Sequence, residues 1–183
     1  GILLETGARH LIYISSIAVY GRFWDDLYSL SKFWGELVFN RICSDTGIPL
    51  TILRPGIIYG FGDVRSPIFR FLNNITNNRA TEISGDGSNK IFWIHKEDLY
   101  RIIRSAISNS KFGNYNIVSC GDGISLSELA ILISSICGKK VGVKFNSSPK
   151  IPVNLKFNIS KFKIDFPEIS FTDLKDGIKE YLG

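Results

Sequence analysis

"HLIYISS", residues 10–16, is a short apolar run that closes on two serines. A run of this length reads as a strand buried on both faces of a parallel sheet, with the small polar residues at its carboxyl end. Residues 28–46 then follow with helical character and stop at Gly47 and Pro49. "LTILRP", residues 50–55, reads as a second buried strand broken by Pro55 and Gly56. Strand, helix and strand make one right-handed crossover unit, and that unit decides the fold class.

Further along, "RSPIFRFLNNITNN" predicts a helix, and "TEISGDGSNKIFWIH" predicts two strands around a turn-rich "GDGSN". Residues 97–108 predict another helix, and "GNYNIVS" predicts a strand. "SLSELAILISSICG" carries a capping box from Ser125 to Glu128 and a terminal Gly138. "KVGVKF" closes the series as a strand and "SFTDLKDGIKEYLG" as a terminal helix. The alternation argues for an α/β protein with a mostly parallel sheet. A doubly wound nucleotide-binding sheet opens with a Gly-rich turn into a helix N-terminus, and no G-x-G-x-x-G or G-x-x-G-x-x-G follows a strand here. The first residue is Gly and Met is absent, so the expectation is a gene that extends upstream through such a turn.

Of the 183 residues, 44% are hydrophobic and 21% charged, enough apolar surface for a sizeable core. No stretch reaches the roughly 18 consecutive apolar residues of a spanning helix, so no membrane role is expected. Cys43, Cys120 and Cys137 are odd in number and none lies in a C-x-x-C pair. Neither a disulfide framework nor a metal site is expected, and a cytoplasmic location is. The formal charge is +5, and residues 129–164 hold seven lysines and no acid. That segment reads as a solvated face before an anion-binding one, with Phe145, Phe157 and Phe162 as core, and no nucleic-acid role is expected.

The chemistry lies in "DDLYSLSKFWGE", residues 25–36. Tyr28 and Lys32 stand four apart and project from one helix face. A phenol is a poor base at neutral pH; an ammonium one turn away favours the phenolate and makes it a usable acid/base. Ser15 and Ser16 end the preceding strand, where open α/β sheets bind ligands, and Ser16 precedes Tyr28 by 12 residues. His95 reads as a packed, hydrogen-bonded residue and Asp98 as a first-turn or capping acid.

Through "YISSIAVYG", "YSLSK", "LRPGIIYGFGD", "SGDGSNKIFWIHKEDL", "YNIVSCGDGISLSELA" and "ISFTDLKDGIKEYL", in that order, the chain resembles the extended short-chain dehydrogenase/reductases, the NAD-dependent epimerase/dehydratase family. The resemblance implies the C-terminal part of a Rossmann-like doubly wound sheet (1–62 and 95–120) and a smaller α/β substrate-binding subdomain (63–94 and 121–183). It implies an NAD- or NADP-dependent epimerase, dehydratase or reductase acting on a nucleotide sugar by hydride transfer through a keto intermediate. A non-catalytic or regulatory protein of the same fold is the alternative. Tyr28 would be the acid/base, Lys32 would support it and bind the nicotinamide ribose, and Ser16 would hold the substrate oxygen with Ser15 nearby. Pro55, Gly56, Ile57 and Ile58 would lie along the nicotinamide. Two positions depart from the family pattern: Ile57 stands where sugar-nucleotide enzymes often have Asn, and Ile91 where they have Arg. Lys90 is adjacent and offers a point charge for substrate, not a bidentate fork. The apolar residues of the helix 28–46, from Phe33 to Ile42, exceed one stripe, which fits either burial within the subunit or a homodimer through this helix.

Overall fold

A computed structural model describes residues 5, 7–21, 26–119, 122–140, 142–146 and 155–182. In chain order they form β1 (Leu11–Ile14), a 3-10 turn (Ile17–Tyr20), α1 (Leu27–Thr46), β2 (Leu50–Pro55), β3 (Ile57–Tyr59) and α2 (Pro67–Thr76). Next come β4 (Thr81–Ser84), β5 (Lys90–Ile91), β6 (Trp93–His95), α3 (Lys96–Ser108), β7 (Gly113–Ile117) and β8 (Ile124–Ser125). The series ends with α4 (Leu126–Cys137), β9 (Val143–Asn146), α5 (Ser160–Asp165) and α6 (Leu174–Lys179). Two compact units emerge: Gly1–Gly56, Asp98–Ile117 and Asn158–Ser170 in one, and Ile57–Glu97, Val118–Phe157 and Phe171–Gly183 in the other.

In the first unit β1, β2 and β7 form a parallel sheet with β2 in the middle. Ile52 and Leu53 of β2 are fully buried. All four residues of β1 are only half-buried, against the expectation of burial on both faces. Among the described residues β1 pairs with β2 alone, whereas β2 has a neighbour on each side. α1 starts where the Asp26 carboxylate accepts the Tyr28 and Ser29 amides, at 3.3 and 2.9 Å, and ends at Gly47 with φ 70°. Residues 158–170 were expected in the second part and belong instead to the first. Phe162 and Phe166 stack at 4.9 Å, and Phe166 meets Tyr115 of β7 edge-on at 5.1 Å, which ties α5 to this sheet.

Among its described residues the second unit contains three two-stranded ladders: β3 with β6 and β4 with β9, both parallel, and β5 with β8, antiparallel. The strands flanking "GDGSN" therefore do not pair with each other. β2 ends at Pro55 as expected, and after Gly56 the Ile57 amide donates to the Phe92 carbonyl at 2.7 Å and opens β3. The core joins Phe71 and Ile75 of α2, Ile83 of β4, Leu129 and Ile133 of α4 and Ile178 of α6. α4 has the capping box read from Ser125 and Glu128 and closes on Gly138 at φ 62°. α6 is shorter than expected, since the Asp173 side chain caps it at Lys175 and Asp176. Phe157 is buried against Phe92, with ring centroids 4.6 Å apart, but Phe145 on β9 is exposed and not core. Cys120, Val141 and Lys150 lie outside the described residues.

Candidate active site

Tyr28 and Lys32 sit in the first two turns of α1, so Asp26, by capping the helix, also sets where the phenol emerges. Tyr28 is 54% exposed. The Lys32 ammonium lies 5.8 Å from the Tyr28 ring centroid and donates to the Ile14 carbonyl at 2.9 Å, at the last residue of β1. Helix and strand end are thus pinned together by the lysine, which also lies 5.5 Å from the Tyr13 ring centroid. Burial first, then the Glu36 and Tyr28 side chains, push the Tyr13 phenol above its ordinary pKa.

Ser16 caps the 3-10 turn, its Oγ accepting the Ala18 amide at 3.2 Å. An oxygen used as an acceptor keeps its own O–H as a donor. Among the described residues there is no hydrogen bond between Ser16 and Tyr28; what the fold brings together is Tyr28, Lys32 and the end of the strand that leads into Ser16. Ser15 was expected beside the cofactor, but it is 2% exposed and its hydroxyl donates to Glu36 at 2.5 Å.

Pro55 is buried at the end of β2, and the Gly56 amide donates to the Ile117 carbonyl at 3.3 Å. Ile57 and Ile58 belong to the second unit, on β3, with Ile58 exposed. Lys90 is there too, on β5 opposite Ser125, close enough to Glu128 for its charge to help hold that carboxyl below the ordinary range, after the Ser125 hydrogen bonds. Ile91 packs on the apolar core. His95 is buried, edge-on to Tyr59 at 5.1 Å, with Nε2 3.2 Å from Glu180 Oε2 but not aligned for a hydrogen bond. Asp98 is fully buried in the first turn of α3 and pairs with Arg101.

The sequence reading missed Glu36 and Arg54. Glu36 Oε1 accepts from Arg54 Nε at 2.8 Å and Oε2 from Nη2 at 2.6 Å, a two-pronged pair in which the carboxylate side chain is 8% exposed and the guanidinium 16%. The Glu36 hydrogen bond raises the Arg54 pKa above its ordinary value, outweighing desolvation. Two signals pointed to them. Glu36 continues the four-residue spacing of Tyr28 and Lys32, and Arg54 is a charge inside an apolar strand, which demands a buried partner. A polar cavity of about 210 Å³ lined by Tyr20, Arg54, Asn116 and Lys161 adjoins this pair, and none of Ser16, Tyr28 or Lys32 lines it. Among the described residues no group of three or more His, Cys, Asp or Glu could hold a metal ion, and no helix is long and apolar enough to cross a membrane.

Residues 2–121 match the model of the NAD dependent epimerase/dehydratase family. A dTDP-4-dehydro-6-deoxy-D-allose reductase of Streptomyces bikiniensis is 28% identical over 130 residues, 68% of this chain and 40% of that protein. A UDP-glucuronate 4-epimerase of Thermodesulfobacterium geofontis is 26% identical over 198 residues, 97% of this chain and 59% of that protein. The chain thus spans about half the length of the curated relatives it matches. Among solved structures, the Bacillus cereus UDP-glucuronic acid 4-epimerase in complex with UDP-glucuronic acid and NAD superposes with a TM-score of 0.82 at 24% identity, covering 97% of this chain and 63% of that one. The Bacillus anthracis dTDP-glucose 4,6-dehydratase in complex with NAD gives 0.84 at 20% identity, covering 99% and 63%.

Proposed function

The chain belongs to the NAD-dependent epimerase/dehydratase family, and from that membership we propose that it is part of an enzyme that epimerises, dehydrates or reduces a nucleotide sugar. One observation carries this reading: an exposed Tyr28 beside a Lys32 ammonium that is anchored to the carboxyl end of β1. The residues present fit the nicotinamide end of the dinucleotide. Lys32 spends one N–H on Ile14 and has two further donors for ribose hydroxyls, with Tyr28 open to solvent next to it. NAD, when bound, accepts and returns the hydride.

As phenolate, stabilised by the Lys32 ammonium, Tyr28 takes up the proton of the reacting hydroxyl as that carbon becomes a ketone, and as the neutral phenol it returns a proton when the ketone is reduced. Ser16 donates its O–H to the same substrate oxygen, which its acceptor role toward Ala18 permits. Ser16, Tyr28 and Lys32 all lie in the first unit. Lys90 is read as a point charge for substrate. A cytoplasmic location and pairing of two copies through α1 belong to the same proposal; Trp34, Leu37 and Val38 lie exposed on that helix at 57%, 46% and 49%.

Tyr28→Phe in the whole encoded protein tests the reading. Loss of a positioned acid/base lowers rate by ~10²–10⁴-fold, while removal of an exposed hydroxyl leaves stability within ~0.5 kcal/mol. Single-turnover nicotinamide absorbance and a thermal melt measure both. Near-normal hydride transfer in this variant overturns the mechanism, and absence of any hydride transfer in the unaltered protein favours a binding protein that keeps the fold.

A further inference from the structure

Beneath Tyr28 and Lys32 runs a chain of hydrogen bonds that the reaction itself does not use. Glu36, 6% exposed, accepts from Ser15 Oγ at 2.5 Å and from two nitrogens of Arg54. The third guanidinium nitrogen, Nη1, donates to the Tyr20 hydroxyl at 2.6 Å, and that hydroxyl donates to Asn116 Oδ1 at 2.9 Å. One carboxylate thereby joins α1 to the end of β1 and to β2, and through Arg54 and Tyr20 to the 3-10 turn and β7.

Helix geometry gives this network its consequence. Residues 28, 32 and 36 recur every fourth position and share one face of α1. The rotation that turns Glu36 inward onto Arg54 is therefore the rotation that carries Lys32 to the Ile14 carbonyl and sets Tyr28 beside it. Ser16 is held from both sides: Ser15, immediately before it, is fixed by Glu36, and Tyr20, at the end of the turn that Ser16 caps, is fixed by Arg54. We infer that Glu36 and Arg54 are positioning residues, which fix the rotation and axial register of α1 against β1 so that Ser16, Tyr28 and Lys32 face one reaction centre. The inference rests on the hydride-transfer reading for its purpose, but the positioning can be read without turnover. A pair of this kind is more demanding than an apolar contact, because its two parallel hydrogen bonds fix angle as well as distance.

The probe is amine reactivity. Reductive methylation of the folded whole protein, with formaldehyde and cyanoborohydride, is followed lysine by lysine by peptide mass spectrometry. Lys156, whose side chain is 83% exposed, is the internal reference. Lys32, half-buried and bonded to Ile14, reacts more slowly than Lys156 in the unaltered protein. Glu36→Gln keeps the volume and breaks the two-pronged pair; Arg54→Lys keeps the charge and removes the fork. Each is expected to speed Lys32 methylation about 10-fold, the signature of a local loosening, with Lys156 unchanged. In turnover, each lowers kcat by ~10–100-fold with little change in KM, since misplacement of about 1 Å costs this much. An unchanged Lys32 rate in a folded variant overturns the inference. So does a uniform acceleration of all lysines in both variants, which marks the pair as a general stabiliser only. If the unaltered protein transfers no hydride, the hydride-transfer reading falls, and the Lys32 rates still decide the positioning.

Discussion

His10 shows how one side chain takes its state from its neighbours. Its Nε2 lies 2.8 Å from Thr51 Oγ1, and the Thr51 hydroxyl donates to the Lys111 carbonyl. With that hydroxyl proton committed, Nε2 is the donor. Phe112 packs edge-on at 5.0 Å, and burial holds the His10 pKa below its ordinary 6.5. A folded-state value below the unfolded one means that protonation favours unfolding. The contribution is complete above the unfolded pKa and is lost as pH falls through the folded one. Thermal melts between pH 7.5 and 5 are expected to show the unaltered protein losing stability that His10→Gln does not lose; parallel curves would refute this. The same scale contains what a sequence reading sees least well. Tyr28 and Lys32 were legible because four-residue spacing is a local property, whereas Glu36 and Arg54 look like an ordinary helix acid and a stray strand cation until the fold brings them together.

At the scale of elements, α1 lies on β1 through a glycine. A Cβ built on Gly35 falls 2.1 Å from the Tyr13 hydroxyl and 2.6 Å from its Cζ, and Tyr13 is itself backed by Phe39 with ring centroids 4.9 Å apart. Gly35→Ala gains up to about 1 kcal/mol of helix propensity but must displace that ring, at ~1–3 kcal/mol. Overpacking wins because Phe39 backs the ring, so a net loss of about 1 kcal/mol is expected from urea unfolding. A stabilised variant would show that Tyr13 yields freely. The ladders teach a related lesson. The strand character of 81–84 and 90–95 was legible from residue type, but the choice of β9, β8 and β3 as partners was not. Period-two patterning says which face a residue takes and is silent on which strand lies alongside.

For the molecule as a whole, the open question of the helix 28–46 resolves into one covered and one uncovered side. Glu36 and Cys43 are buried, while Trp34, Leu37 and Val38 are exposed on the same helix. Homodimerisation through this face predicts a concentration-dependent sedimentation coefficient for the whole protein, shifted to the monomer by Trp34→Lys, since a charge in a desolvated interface core costs several kcal/mol. An unaltered sedimentation profile in that variant would remove α1 from the interface. The sequence by itself determined the strand–helix–strand unit of β1, α1 and β2, the capping box at Ser125 and Glu128, the glycine stops at Gly47 and Gly138, and the four-residue spacing of Tyr28 and Lys32. Each of these rests on interactions within a few residues, which a linear pattern contains. Only the tertiary structure decided that residues 158–170 join the first unit through Phe162 and Phe166, that Phe145 stays exposed, that Ser15 serves Glu36, and that Glu36 meets Arg54 across 18 residues. Those outcomes depend on which distant surfaces come together, and packing selects them by burial and hydrogen-bond completion that no local pattern records.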